Sequence, residues 1–334
     1  MSEVRVPDTA VTCPKDMTYG PCGGVTATLG CEVDDRPCPF ANDDALPRWE
    51  RPGASRVIDV APGSIFVDLR PDPTLPGELA EAAVALGLPD VHVLIGEHVD
   101  DPTPHGPAAV AAAVADAGLS AVSTVTCRGR TGDELTREVE AVAATGPFAV
   151  HCVTGDHPSA RLHLDGDVRF GTDSLGLVSM ATRSGVAVSV AESPATPPRA
   201  WRAPRLADKQ RAGAGMCILN HAGDVDHVRH FVEDARDAGV TVPLVAAVPI
   251  ITDRHSATVL DRFPGLELPE DFAARVLSAD DPRAAGIEAA VELGRELLAC
   301  PGIAGINLSG AGSDRATPAR AELAAEIITG IRRR

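Results

Sequence analysis

Eight short apolar runs recur from residue 63 onward, at 64–69, 91–96, 121–127, 148–154, 185–191, 216–220, 243–250 and 303–308. Each is apolar nearly throughout and rich in β-branched residues, as parallel strands buried on both faces must be. Between them lie amphipathic stretches at helical spacing, among them 77–85, 108–117, 132–144, 225–238 and 284–298. Ala, Glu, Asp and Arg dominate these stretches, which suits helices. Eight strands alternating with helices predict a (β/α)8 TIM barrel, an α/β fold of typically ~250 residues. The rival is an open doubly wound sheet, which would carry a Gly-rich dinucleotide loop after its first strand. Here that turn reads Arg70-Pro71-Asp72-Pro73-Thr74, with no glycine. A barrel gathers its active site at the C-terminal ends of its strands, so the search narrows to eight short segments.

Charge removes several functions. The chain carries 30 Lys+Arg against 47 Asp+Glu, a net charge of −17. Nucleic acid and anionic membranes repel such a surface, so neither is expected as a partner. The aromatic residues (7 Phe, 2 Trp and 1 Tyr) are too few for base-stacking platforms. No stretch approaches ~20 uninterrupted apolar residues. The first residues show no basic segment followed by an apolar one, so no signal peptide is expected. A cytoplasmic location is the expectation. There the 8 cysteines read as metal ligands or core residues rather than disulfides.

Cys13, Cys22, Cys31 and Cys38 lie in a Gly-, Pro- and Asp-rich head, residues 1–45, that lacks helical periodicity. A connector over 46–62 leads to the barrel, 63–334. The head thiols are separated by 8, 8 and 6 residues. Four thiolates interleaved with glycines are what a closed tetrahedral Zn²⁺ site requires, and such a site would be structural. The alternatives are an Fe–S cluster and four free thiols. The remaining cysteines, Cys127, Cys152, Cys217 and Cys300, sit in apolar runs.

Two stretches carry a family resemblance. One is Lys209-Gln210-Arg211-Ala212-Gly213-Ala214-Gly215-Met216-Cys217-Ile218-Leu219-Asn220, continuing to Phe231 and Pro243. The other is Val153-Thr154-Gly155-Asp156-His157-Pro158. Both resemble motifs of the methylenetetrahydrofolate reductase family, as do, more weakly, Phe66-Val67-Asp68-Leu69-Arg70-Pro71 and Val125-Thr126-Cys127. The head is similar to a Gly-Pro-Cys-Gly-Gly cysteine module found with some bacterial reductases of this kind. The resemblance implies the same barrel and an NAD(P)H-dependent reduction of 5,10-methylenetetrahydrofolate to 5-methyltetrahydrofolate, a step of one-carbon metabolism serving methionine biosynthesis.

It also implies roles. Asp68 falls at the place of the general acid toward the folate, and Asp156 at that of an aspartate beside the reacting rings. Asn220 stands where a glutamine contacts the pterin, with His221 next to it as a second substrate-side candidate. Lys209 matches a lysine that binds flavin phosphate, and Thr126 a threonine near the nicotinamide or flavin ring. Gly310 and Gly312, after the eighth strand, stand where barrels commonly cradle phosphate.

Several flavin contacts are replaced: by Leu94, Thr124, Thr154 and the Ser193-Pro194-Ala195 loop. Asp208 replaces a basic residue and is expected to face the phosphate. The folate side is better kept than the flavin side. Direct hydride transfer from NADH or NADPH is therefore one reading, and FAD bound through different contacts is the other. The alternative function is a non-redox folate-binding or folate methyl-transfer partner protein.

The chemistry asks for an acid at nitrogen, a route for hydride and paired groups to orient the pterin. Asp68 can act as the acid only if burial raises its pKa.

Overall fold

A computed structural model describes residues 13–41, 46–54, 56–99, 105–162, 168–261, 265–310 and 316–333. Eight parallel strands close on themselves in chain order. They are β1 (Ser64–Leu69), β2 (Val91–Ile95), β3 (Ala121–Thr126), β4 (Ala149–Val153), β5 (Val188–Glu192), β6 (Met216–Leu219), β7 (Leu244–Pro249) and β8 (Ile303–Ser309). The ring closes where β8 pairs with β1, in the register Phe66 to Asn307 and Val67 to Leu308. The helices are α1 (Pro76–Leu86), α2 (Pro107–Asp116), α3 (Gly132–Ala143), α4 (Pro158–Leu162), α5 (Ser174–Arg183), α6 (Arg202–Ala212), α7 (Val225–Asp237), α8 (Arg254–Asp261), α9 (Phe272–Leu277), α10 (Pro282–Ala299) and α11 (Thr317–Arg332). The fold is the expected (β/α)8 barrel.

Alternation along each strand divides the core in two. In β1, Ile65, Val67 and Leu69 belong to the large core between strands and helices, beside Leu79 and Ala82 of α1. Phe66 belongs to a second cluster with Val122, Ala149, Met216, Ile218 and Val245, inside the barrel. Asp68, two residues on, shares the inward parity of Phe66 at the upper, C-terminal end. The segment before β1 also reaches the interior: Ile58 and Val60 join the inner cluster. Ile58 N–H donates to Gly215 O at 3.0 Å, just below β6, so the connector closes the lower end of the barrel.

The fifth strand begins and ends later than its apolar run suggests. Gly185 takes φ of 73° in the turn after α5, and the strand extends to a buried carboxylate, Glu192. Helix α6 escapes an amphipathicity reading because Arg202, Arg205, Asp208 and Lys209 all lie on its buried side.

The head packs on the upper end of the barrel. Met17, Phe40 and Leu46 form a small apolar cluster, with Cys13, Cys22, Cys38 and Trp201 against it. Asp173 caps α5 through Leu175 N–H and also accepts from Tyr19 N–H at 3.1 Å. Arg205 donates to Tyr19 O at 2.7 Å, and Thr196 to Gly23 O at 3.1 Å. The connector then follows α6 downward. Asp208 holds Arg48 at 2.7 Å and also pairs with Arg211. Among the described residues, no helix is long and apolar enough to cross a membrane.

Candidate active site

The upper ends of the strands surround a cavity of about 1020 Å³. Asp68, Thr126, Asp156, Lys209, Asn220 and Gly310, all singled out from sequence, line it. Gly312 lies outside the described residues. The tight path at the end of β4 needs Gly155: its φ is 90°, and a Cβ there would come within 2.8 Å of Thr126 Cβ. This turn leads the chain past Thr126 and leaves Asp156 in the cavity wall.

Asp68 stands in the cavity wall where β8 meets β1. Asn307 Nδ2 donates to its Oδ1 at 2.9 Å, and Ser309 adds a second side-chain bond. Burial pushes its pKa above the ordinary carboxylate range, against these two bonds and the cations Arg70 and Arg320. Asn307 is 3% exposed and lines the cavity, and its Oδ1 has no partner among the described residues. A bound ligand with an N–H donor could satisfy that oxygen.

Lys209 does not offer a free charge to an anion. Its Nζ donates to Glu192 Oε2 at 2.7 Å and to Ala191 O at 2.5 Å, and the residue is 5% exposed. Burial alone would raise the Glu192 pKa, but Lys209, Arg202 and Arg205 outweigh it and keep the carboxylate ionised. Lys209 is therefore a neutralised member of a buried network. Asp208 does not face a phosphate position either. It turns toward the connector, paired with Arg48 and Arg211.

The remaining candidates separate in the same way. Asn220 stays at the mouth, with Nδ2 3.5 Å from Ser193 Oγ. His221 is not part of the cavity wall. It is 2% exposed, neither ring nitrogen has a partner among the described residues, and burial lowers its pKa to about 4. His157 stacks on Phe170 at 6.0 Å, and Trp201 packs on the head.

Positive charge enters elsewhere. A side chamber of about 250 Å³ opens by the ends of β1–β3 and is lined by Arg70, His98, His105, Arg128 and Arg130. Glu97 organises it: its carboxylate takes Arg130 at 2.7 Å and Thr126 N–H at 2.8 Å. This basic chamber in an acidic chain was not anticipated. Its signal was the cation spacing Arg70, Arg128 and Arg130, each just beyond a strand end.

The head is part of the same cavity. Lys15, Cys22, Gly23, Gly24 and Glu32 belong to its wall. Two of the head thiols accept backbone N–H bonds from two residues ahead: Gly24 to Cys22 at 3.4 Å, and Val33 to Cys31 at 3.5 Å. Burial pushes the Cys13 and Cys38 thiols up to about 11. Among the described residues, no three His, Cys, Asp or Glu side chains are grouped so as to hold a metal ion. The thiols thus share one small module without forming a ready-made shell.

Residues 100–319 match the family model of methylenetetrahydrofolate reductase. No curated protein matches the chain. Among solved structures, an uncharacterized protein from Clostridium thermocellum, which binds two copies of 5-methyl-5,6,7,8-tetrahydrofolic acid, superposes with a TM-score of 0.60 at 13% identity. The match covers 81% of this chain and 96% of that one. At this identity the likeness shows the fold. A native KDPGal structure follows at TM-score 0.45 and 12% identity, covering 80% of this chain and 94% of that one. The family match runs from before α2 into α11, so the head, β1 and β2 lie outside it.

Proposed function

The chain belongs to the methylenetetrahydrofolate reductase family, and from that premise we propose that it reduces 5,10-methylenetetrahydrofolate to 5-methyltetrahydrofolate with hydride taken directly from NADH or NADPH. The observation that carries this reading is Asp68: a half-buried carboxyl of raised pKa, fixed by Asn307 and Ser309, in the wall of a ligand-sized cavity. In the proposed step Asp68 gives its proton to the folate nitrogen as the methylene C–N bond breaks. The bonding pair goes to that nitrogen, leaving an iminium carbon. Hydride from the nicotinamide then forms the methyl C–H bond, and Asp68 is reprotonated from solvent. Asp156 and Asn220 orient the pterin, and Thr126 lies where it can contact the nicotinamide.

Flavin suits this cavity poorly. The lysine that would meet its phosphate is already paired with Glu192, a buried carboxylate. The proposed seat for the anionic part of nucleotide or folate is instead the Arg70–Arg128–Arg130 chamber, together with the Gly310 turn. Zinc in the head is proposed from the donor set, four thiols in one module with backbone N–H bonds to sulfur. They would have to close on one another to bind it.

The test is a visible spectrum of the purified protein, followed by NADH and NADPH oxidation in the presence of methylenetetrahydrofolate. A colourless protein that forms 5-methyltetrahydrofolate supports the reading. Flavin absorbance sinks the direct-transfer part, and no turnover with either nucleotide, with or without added flavin, sinks the reductase. The second reading, a non-redox folate-binding or methyl-transfer partner, draws on the Clostridium thermocellum protein, which binds the methylated folate. Folate binding without nucleotide oxidation would favour it.

A further inference from the structure

We propose that Lys15, carried to the barrel mouth by the cysteine head, is a substrate-binding residue that reads the pterin together with Asp156. The inference rests on the reading that this cavity holds a reduced folate. Lys15 and Asp156 line the same cavity, although 140 residues and two structural units separate them in the chain.

A lysine that is 4% exposed in a small surface module is an unusual choice. A buried ion pair seldom stabilises more than apolar packing of the same volume. Here the module also makes room for the pair. The Glu32 carboxylate lies against Gly24, where a Cβ would meet its Cδ at 2.0 Å, and it binds Lys15 Nζ. Gly23 also approaches the loop after β5, with a Cβ position 3.0 Å from Ser193 Oγ. The two glycines therefore press the ammonium into the cavity wall.

An ammonium has three N–H donors, and one carboxylate does not exhaust them. Thr154 Oγ1 donates to Met17 Sδ at 3.8 Å, which sets this segment of the head against the end of β4 that carries Asp156, an acceptor only. A donor and an acceptor in the same wall complement one edge of a 4-oxo pterin, where O4 accepts and N3–H donates. A 4-amino pterin presents the opposite pattern at position 4 and meets an ammonium with N–H groups. The head would thus supply a specificity element that the barrel itself lacks at this point, and substrate choice would depend on the head being docked.

The experiment compares dissociation constants for 5-methyltetrahydrofolate and its 4-amino-4-deoxy counterpart, measured calorimetrically on the full chain. Wild type is expected to prefer the 4-oxo compound by about tenfold or more, the scale of a single matched polar contact. The paired variant Lys15→Met/Glu32→Gln removes the ion pair without leaving a buried carboxylate alone. It is expected to lose that preference, with most of the loss in the 4-oxo compound. Equal wild-type affinities overturn the proposal without any variant. So does a variant that keeps the preference, or that loses both ligands equally. A wild type that binds neither compound overturns the folate reading itself, which separates the two failures.

Discussion

Asn307 Nδ2 donates to Asp68 Oδ1 at 2.9 Å across the seam where β8 closes on β1. The bond joins an acid that burial has weakened to an amide whose own oxygen is unsatisfied. It stabilises the carboxylate, so it tempers the rise in pKa that burial causes.

Asp68→Asn is expected to lower kcat by about 10²–10⁴-fold, the range of a lost general acid, with folate binding largely intact. The acid form is consumed as pH rises through the raised pKa, so wild-type kcat/KM should fall on the alkaline side. Asn307→Leu removes a bond to the carboxylate, raises that pKa further and should move the falling limb to higher pH. A limb that stays in place would separate Asn307 from the acid, and an unchanged rate in Asp68→Asn would remove Asp68 from the mechanism.

Lys209→Met leaves Glu192 buried with only Arg202 at 3.7 Å and the field of Arg205. Breaking a buried pair from one side costs roughly 3–5 kcal/mol. Thermal denaturation should show a large loss of stability, with little change in nucleotide KM for whatever protein remains folded. An unchanged melting temperature with a raised KM would restore Lys209 as a cofactor contact.

His221 predicts acid sensitivity. Its folded pKa is about 4, below the ordinary 6.5, so the unfolded chain takes up the proton first. Stability from this residue is complete above pH 6.5 and falls as pH drops toward about 4, by roughly 3 kcal/mol in all. His151, lowered to about 3 by burial and Lys209, extends the loss further. His221→Leu should make melting temperature less dependent on pH between 7 and 5. A slope equal to wild type would show that the ring is not buried as a neutral group.

The head should carry about one zinc per chain by elemental analysis, and a chelator should remove it and release thiols to a colorimetric reagent. Metal-free protein with four reactive head thiols would reject the site. Chelation is also expected to loosen the docked head and raise the folate dissociation constant, because Lys15 lies between Cys13 and Cys22.

The barrel was legible because its strands are buried on both faces. β3, from Ala121 to Thr126, is inaccessible along its whole length, and such a run has one simple reading. Asp68, Asp156 and Asn220 were legible because a barrel concentrates polar strand ends at one mouth. Glu192 and α6 were not, since charges that neutralise one another inside look like surface charges in a linear sequence. Lys15 was hidden for another reason. Nothing local to Cys13–Cys22 says that this segment will be set against the end of β4, which depends on Thr154, Asp173, Thr196 and Arg205 far along the chain. The connector read as polar, yet Ile58 and Val60 seal the barrel, because two apolar residues in a proline-containing stretch leave no periodic signal.

Tyr19 meets Asp173 and Arg205, which follow it by 154 and 186 residues. The head is therefore synthesised first and can dock only after β5 and α6 have left the ribosome. At translation rates of roughly 5–20 residues per second, that interval is on the order of ten seconds or more. During it the head has a small core, Met17 and Phe40 with Leu46 of the connector, and its thiols are open to solvent. For the proposed zinc, access to the thiols is easiest then, before the barrel exists to cover them.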